Sequence, residues 1–412
     1  MRVVRIIGAS FTNKGAETML LIVADAVHKC LPGVEILAQI PRRDFEQAQA
    51  KGLVPVGSDY PKSPVSRLLA KVRAPRIRYE AGAVIDVGGY QFGDPWGNKY
   101  AWRKASAVKY WIRSGMPVFF LPQTWGPCSS KSISSAIRSI INTATLSFVR
   151  DETSLAEVQR LVGKHNSKVR FAHDIAWNFR GDDLSAGRQL LREAGLLLKS
   201  NTMTVCLTPN LQVYRRCEGT GAKNEYIGVL RDIVEHLCRV HNAQVILVGH
   251  QILKDNSETE DDRTLCNYVL SSVDRSLPVV HLDKVLAASQ IKSVIGNCDL
   301  LLSSRYHALI AGLSQGIPAA TIGWSHKYDE LMAEVGISSN VISLPKANKE
   351  ILKDIDVIIR RMPQTREVIA SKVPVMKQSG QNALDEVISR IGERFQIDSE
   401  PLQGISARGH AL

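Results

Sequence analysis

An arginine and a histidine one residue apart mark where this sequence could do chemistry. Arg305 and His307 lie in the run Cys298-Asp299-Leu300-Leu301-Leu302-Ser303-Ser304-Arg305-Tyr306-His307-Ala308-Leu309-Ile310-Ala311-Gly312. An arginine fork grips phosphate or carboxylate at two points, and imidazole is the side chain whose proton moves near neutral pH. His250, His326 and Lys327 fall at other predicted strand-end turns of the same half, and Arg150 falls at one in the first half. Carboxylates in comparable places are few: Glu17, Asp94 and Asp174. This cationic and imidazole set suits a multiply charged anionic substrate that needs a proton donor. It does not suit the carboxylate pair of a glycosidase. HExxH, GxSxG and P-loop patterns are absent. No clustered His/Asp spacing proposes a metal, since His250 and His281 stand too isolated in the sequence.

Such side chains converge only if the elements before them end on one edge. Cys298 to Leu302 is an apolar run of strand length, and Tyr306, Leu309, Ile310 and Leu313 then recur at helical spacing. Arg305 and His307 therefore sit where strand becomes helix. In an open parallel sheet that carboxyl edge faces the ligand crevice, and the unpaired N–H groups of a first helical turn welcome an anion. The plainer alternative is a core helix capped by Ser303 or Ser304, with a solvated arginine and a packed histidine.

The same β-then-α alternation runs along the chain, from a buried strand at Arg2 to Ser10 onward, and predicts two doubly wound, Rossmann-like α/β domains facing a cleft. The expected spans are 1–180 and 181–345, with helices over 346–395 packing on them and a disordered tail over 396–412. In the first half, Gly88-Gly89, Gln123, Arg150 and Asp174 each fall at a predicted strand end. The first turn, Thr12-Asn13-Lys14-Gly15, is not GxGxxG, so no dinucleotide fingerprint is present. Glu17 in the following helical turn opposes direct phosphate binding but could orient a sugar hydroxyl or complement the helix dipole. Trp125 and Trp324 read either as sugar-stacking platforms or as core. Asp255 to Asp262 reads as an acidic loop, and Ser58 to Tyr79 as a surface loop with a short helix.

Composition narrows the class. The 412 residues are 44% hydrophobic and 22% charged, ordinary for a globular protein. No apolar run approaches the roughly 20 residues of a membrane span, and no signal peptide is evident, which makes a cytoplasmic protein the expectation. Seven scattered cysteines without a CxxC pair argue against a disulfide framework or structural zinc. The net charge of +12 suits nucleic acid, anionic membrane surfaces or acidic small substrates. Basic clusters at Arg67 to Arg78 and at Arg103, Lys104, Lys109 and Arg113 lack interleaved aromatics, so nucleic acid is not expected as a partner.

Taken in order, several motifs resemble those of the polysaccharide pyruvyl transferases. They are Asn13-Lys14-Gly15-Ala16-Glu17, Gly88-Gly89, Pro122-Gln123-Thr124-Trp125-Gly126-Pro127, Arg150-Asp151-Glu152-Thr153-Ser154, Ser304-Arg305-Tyr306-His307-Ala308, and the stretch from Gly316-Ile317-Pro318 to Lys327-Tyr328. The resemblance spans roughly residues 1 to 345. It implies a two-domain arrangement of the glycosyltransferase type B kind. It also implies transfer of a pyruvyl group from phosphoenolpyruvate to a sugar of a polysaccharide or its precursor, usually as a ketal, with no cofactor. Under it, Arg305 and Arg150 hold the donor's phosphate and carboxylate, and His307 is the general acid. Asn13, Gly15, Glu17, Gly88, Gly89, Gln123 and Ser304 are expected to contact substrate, with His326 and Lys327 as further phosphate contacts. The acceptor would be a sugar or a lipid-linked oligosaccharide, the latter suited by a basic, membrane-facing surface. Ala16 departs from the acid common in the family, and Tyr306 from its usual leucine. Two rivals share the architecture: a glycosyltransferase with a nucleotide-sugar donor, and a non-catalytic polyanion-binding protein.

Overall fold

The computed structural model describes residues 2–57, 81–254, 260–323 and 326–397. The expected loop at Ser58 to Tyr79, the basic cluster within it, Trp324 and nearly all of the expected tail lie outside those residues.

The chain divides into two compact units. One holds Met1–Ser10, Met19–Ile175 and Gln378–Leu412; the other holds Phe11–Thr18 and Ala176–Lys377. These units do not follow the contiguous spans read from sequence. The turn that opens the first helix belongs with the second unit, and the final helix, Met362–Phe395, contributes to both.

The first unit is built on β1 (Arg2–Ile7), β2 (Glu35–Ile40), β3 (Val54–Gly57), β4 (Ala81–Asp86), β5 (Tyr90–Phe92), β6 (Val118–Trp125), β7 (Leu146–Val149) and β8 (Val169–Phe171). The pairs are parallel, in the order β3-β2-β1-β4-β6-β7-β8, with β5 alongside β6. Its core is aromatic at one end: Trp125 is buried, stacks on Phe92 at 4.2 Å and donates its indole N–H to the Phe148 carbonyl at 3.1 Å. Trp125 is therefore core, not a sugar platform.

The second unit carries β9 (Met203–Thr208), β10 (Ala243–Leu247), β11 (Val279–His281), β12 (Leu300–Ser303), β13 (Ala319–Gly323) and β14 (Val341–Ser343), all parallel in the order β11-β10-β9-β12-β13-β14. Strand order thus reverses between β9 and β12, and in the first sheet between β1 and β4. Such a switch point opens a crevice at the carboxyl ends of the two strands. The helix Glu225–Val240 shows how the sequence builds this unit. Ile227, Leu230, Ile233, Val234 and Leu237 recur at three- and four-residue steps and are all buried. Each contributes about 1.5–3 kcal/mol by leaving water.

Three short strands, β3, β5 and β14, went unanticipated because runs of three or four residues carry too little periodicity. Gln123 is not a strand end: β6 continues through it to Trp125. Asp262 is not loop: it opens the helix Asp262–Ser272, capped by Asp261. No helix of the described residues is long and apolar enough to cross a membrane.

Candidate functional site

At the switch point of the second sheet, β12 ends at Ser303 and the helix Tyr306–Leu313 begins three residues later. The two serines build this turn but do not cap it as expected. The N-cap is Arg305, which makes no side-chain cap bond. Ser303 Oγ accepts from the Arg305 N–H at 2.9 Å. Ser304 is buried inside a relay. The Asn210 N–H donates to the Tyr226 hydroxyl at 3.3 Å, that hydroxyl lies 2.7 Å from Ser304 Oγ, and Ser304 donates to the Ile322 carbonyl. The Ser304 carbonyl accepts from Asn210 Nδ2 at 2.7 Å and from the Tyr328 hydroxyl. Burial drives the Tyr226 phenol well up and the Tyr328 phenol up to about 12, so both remain neutral donors. Ser304 therefore fixes the backbone that aims Arg305.

Arg305 is itself buried and ion-paired with Asp262, which is fully buried. Its Nη1 donates to Gln251 Oε1 at 3.3 Å. Its Nε makes no hydrogen bond to a described residue. Asp262 also accepts the backbone N–H groups of Leu211 at 3.3 Å, His250 at 3.2 Å and Gln251 at 2.8 Å. One carboxylate thus ties three strand-end segments together and orients the arginine. Asp262 is hidden in the sequence because it closes an acidic stretch with the composition of a solvated loop.

His307 packs against the turn that starts the first helix. A Cβ on Gly15 would fall inside 3.0 Å of His307 Nδ1, Cγ and Cβ, so only glycine fits beneath the imidazole. The neighbouring Tyr306 ring meets His307 edge to face, centroids 5.4 Å apart. The turn is pinned from three directions. Asn13 Oδ1 accepts from the Gly15 N–H at 3.0 Å, the Lys14 N–H donates to the His250 carbonyl at 3.1 Å, and Asn13 bridges to Gln251. Lys14 and Glu17 are buried and joined at 2.8 Å. The other Glu17 oxygen accepts the Ala288 N–H at 3.1 Å. Ala287, the N-cap of the helix Ala288–Ile295, has no side-chain oxygen of its own, so Glu17 serves that helix end. Glu17 thus serves the start of a second helix as well as standing in the first turn of its own.

Beside His307 a small, part-open recess is lined by Thr18, Phe179, His250, Ala288, Lys292 and Ala311, among others. Burial holds the His250 imidazole well below its usual range, and the nearby charges of Arg305, His307 and Lys14 push the same way. His250 is thus a neutral neighbour rather than a competing acid. Lys292 lies on an otherwise apolar helix face and carried no sequence signal. Its Nζ donates to the Phe179 carbonyl at 2.6 Å and to Ser314 Oγ at 2.7 Å. Burial, aided by Lys377, lowers it to about 7.

The remaining candidates are held as follows. Lys327 lies over the Tyr328 ring at 5.1 Å, and His326 opens the helix His326–Val335. In the first unit, Arg150 is buried, with Nη1 on Asp174 Oδ2 at 2.7 Å and Nε on Thr124 Oγ1 at 3.0 Å. Asp174, at another predicted strand end, is the partner of that arginine. Near the first sheet's switch point, buried Asp86 accepts the Gly88 N–H at 2.9 Å and the Lys104 ammonium at 2.8 Å, and also bonds Gln91. Lys104 is therefore part of this network. A Cβ on Gly88 would strike the Gln91 side chain. Gly89 offers its carbonyl to the Thr124 N–H at 2.9 Å, and Gln123 accepts from Gln91 at 3.1 Å.

Comparison with known proteins decides the family. The profile of the polysaccharide pyruvyl transferases matches residues 13–326, well over half of the chain. The chain belongs to that family. The match runs from Asn13 through Arg305 and His307 to His326 and so takes in all the named lining of the recess, while Thr12, Lys327 and Tyr328 lie outside it. The amylovoran biosynthesis protein AmsJ of Erwinia amylovora is 21% identical over 318 residues, 75% of this chain and 73% of that protein. This polysaccharide pyruvyl transferase shares its fold with sugar-nucleotide enzymes. The UDP-GlcNAc 2-epimerase of Neisseria meningitidis has a TM-score of 0.61 at 12% identity, covering 94% of this chain and all of the other. The UDP-GlcNAc 2-epimerase of Methanocaldococcus jannaschii gives 0.61 at 11%, covering 96% and 100%. Spinosyn rhamnosyltransferase SpnG gives 0.57 at 11%, covering 95% and 100%. The fold is thus glycosyltransferase type B-like, as expected from the sequence.

Proposed function

We propose that this family member takes its pyruvyl group from phosphoenolpyruvate and leaves it as a ketal on a saccharide. Arg305 grips an anionic group of the donor. Its guanidinium is held in place by Asp262 and keeps Nε uncommitted among the described residues. The first-turn N–H groups of the helix Tyr306–Leu313 add partial positive charge at the same point. His307 donates a proton to the donor's methylene carbon, which becomes a methyl group. The adjacent carbon turns electrophilic, one sugar hydroxyl adds to it, and phosphate leaves with its bonding pair. A second hydroxyl then adds to the same carbon. Of the two hydroxyl protons, one re-protonates His307 and the other leaves with phosphate, so the residue ends as it began.

The observation that carries this reading is the pairing of a buried, carboxylate-oriented arginine with an imidazole two residues on, at a switch-point turn of a chain in this family. The fixed imidazole matters, because a proton donor misplaced by about 1 Å can cost about 100-fold in rate. Arg150 has two of its nitrogens committed to Asp174 and Thr124 within the first unit. In this reading it shapes that strand end, and Arg305, two residues from the proton donor, supplies the gripping charge. The test is thermal stabilisation by phosphoenolpyruvate against a panel of nucleotide sugars. Stabilisation by phosphoenolpyruvate that is lost in Arg305→Met supports the assignment. Stabilisation by a nucleotide sugar alone overturns it in favour of glycosyl transfer.

A further inference from the structure

Sequence spacing proposed no metal, but the second unit brings three ligating side chains together across more than a hundred residues. His236 lies on the helix Glu225–Val240, and His241 is that helix's C-cap. Asp356 lies on the helix Asn348–Arg360. His236 Nε2 and His241 Nε2 each sit 2.7 Å from Asp356 Oδ1. One ligand atom from each residue lies within 4.8 Å of the other two. The imidazole rings cross at 71° with centroids 5.3 Å apart, so their Nε2 atoms approach one point from different directions. We propose that His236, His241 and Asp356 form a binding site for a borderline divalent transition-metal ion, zinc foremost.

The chemistry of the donors selects the ion. Two imidazoles and one carboxylate suit zinc, copper or nickel and not the oxygen-seeking magnesium or calcium. Zinc takes nitrogen and carboxylate ligands at about 2.0–2.2 Å, usually four in a tetrahedron. All three residues are half-buried, which leaves the fourth place to water. The frame is rigid enough to hold this geometry. Leu230, Ile233, Val234 and Leu237 of one helix and Ile351, Ile355 and Ile358 of the other belong to one buried cluster. The donor atoms therefore need only side-chain adjustment to close on an ion, since the helices are already packed. Asp356 supplies one negative charge. The nearby Arg360 donates to the Asp356 backbone carbonyl at 3.3 Å. Bound metal would fasten the C-terminal end of one helix, just before the chain enters β10, to the middle of the other.

The test uses the full chain, freed of metal with a chelator, titrated with zinc chloride against a chromophoric chelator. The expected result is one equivalent bound by the wild type, with affinity reduced at least about 100-fold in His241→Ala and Asp356→Asn. That is the upper end of what loss of even a supporting partner of a metal ligand costs. Asp356→Asn keeps the side-chain shape, so its loss of binding does not hinge on misfolding. Cobalt added in place of zinc should give the intense visible bands of a tetrahedral site in the wild type and not in His241→Ala or Asp356→Asn. His307→Ala should retain both signals, which places the ion away from the recess. Equal zinc affinity in wild type, His241→Ala and Asp356→Asn, or loss of binding only in His307→Ala, would overturn the assignment.

Discussion

Replacing Gly15 with Ala is the sharpest probe of the turn on which His307 rests. The new Cβ would come within 3.0 Å of three His307 atoms, at 2.9 Å from the most distant of them. Because Asn13, Lys14 and Glu17 pin the turn, the imidazole must give way. Overpacking of this kind costs about 1–3 kcal/mol. Against it stands the gain from replacing glycine in a helix, about 0.8–1 kcal/mol at an interior position and less in a first turn. The net expectation is a loss of about 1–2 kcal/mol, with activity falling about 100-fold because the ring is displaced by about an ångström. A double-mutant cycle separates this from a general weakening of the turn. In a His307→Ala background only the contact to Cβ remains, so Gly15→Ala should become nearly neutral, a coupling of about 1–2 kcal/mol. Urea midpoints of the four proteins, compared at constant slope, measure it. An equal cost of Gly15→Ala in both backgrounds would refute the close packing.

Two further outcomes follow from buried charge. Asp262→Asn leaves Arg305 as an uncompensated buried cation and turns an amide toward backbone donors. It should cost about 3–5 kcal/mol, read as a large drop in melting temperature, and a loss under about 1 kcal/mol would contradict the role of this carboxylate. Lys292 titrates at about 7 in the folded chain against a usual 10.5. Between those values the unfolded state binds more protons, so stability rises with pH by up to about 1.4 kcal/mol per pH unit and the gain is lost as pH falls toward 7. Lys292→Met should flatten that part of the stability profile between pH 7 and 10. An unchanged slope would show that the amine is solvated.

The two-sheet α/β fold was legible because its central strands are long apolar runs and its helices have regular apolar spacing. The run Leu300 to Leu302 followed by Tyr306, Leu309 and Ile310 shows both signals within a dozen residues. Arg305 and His307 were legible because residue type and the strand-to-helix position agreed. What stayed hidden depends on contacts distant in sequence. Asp262 meets Arg305 across 43 residues, and Glu17 meets Ala288 across 271. Lys292 sits on an apolar helix face, where a single lysine reads as a surface residue. Ser303 and Ser304 have the composition of caps, yet the hydroxyls of Thr208 and Tyr226 draw them inward. Tyr306, least explained by the sequence, meets the His307 ring edge to face, a contact that leucine could not make in that form.

Pyruvyl transfer is tested most directly by incubating the protein with phosphoenolpyruvate and candidate saccharides, then following released phosphate and the mass of the acceptor together. The account predicts phosphate release that requires an acceptor, with a product heavier by pyruvic acid less one water, and loss of both signals in His307→Ala while phosphoenolpyruvate still stabilises that variant against heat. Near-normal turnover in His307→Ala, or a product bearing an added sugar from a nucleotide donor, would contradict it.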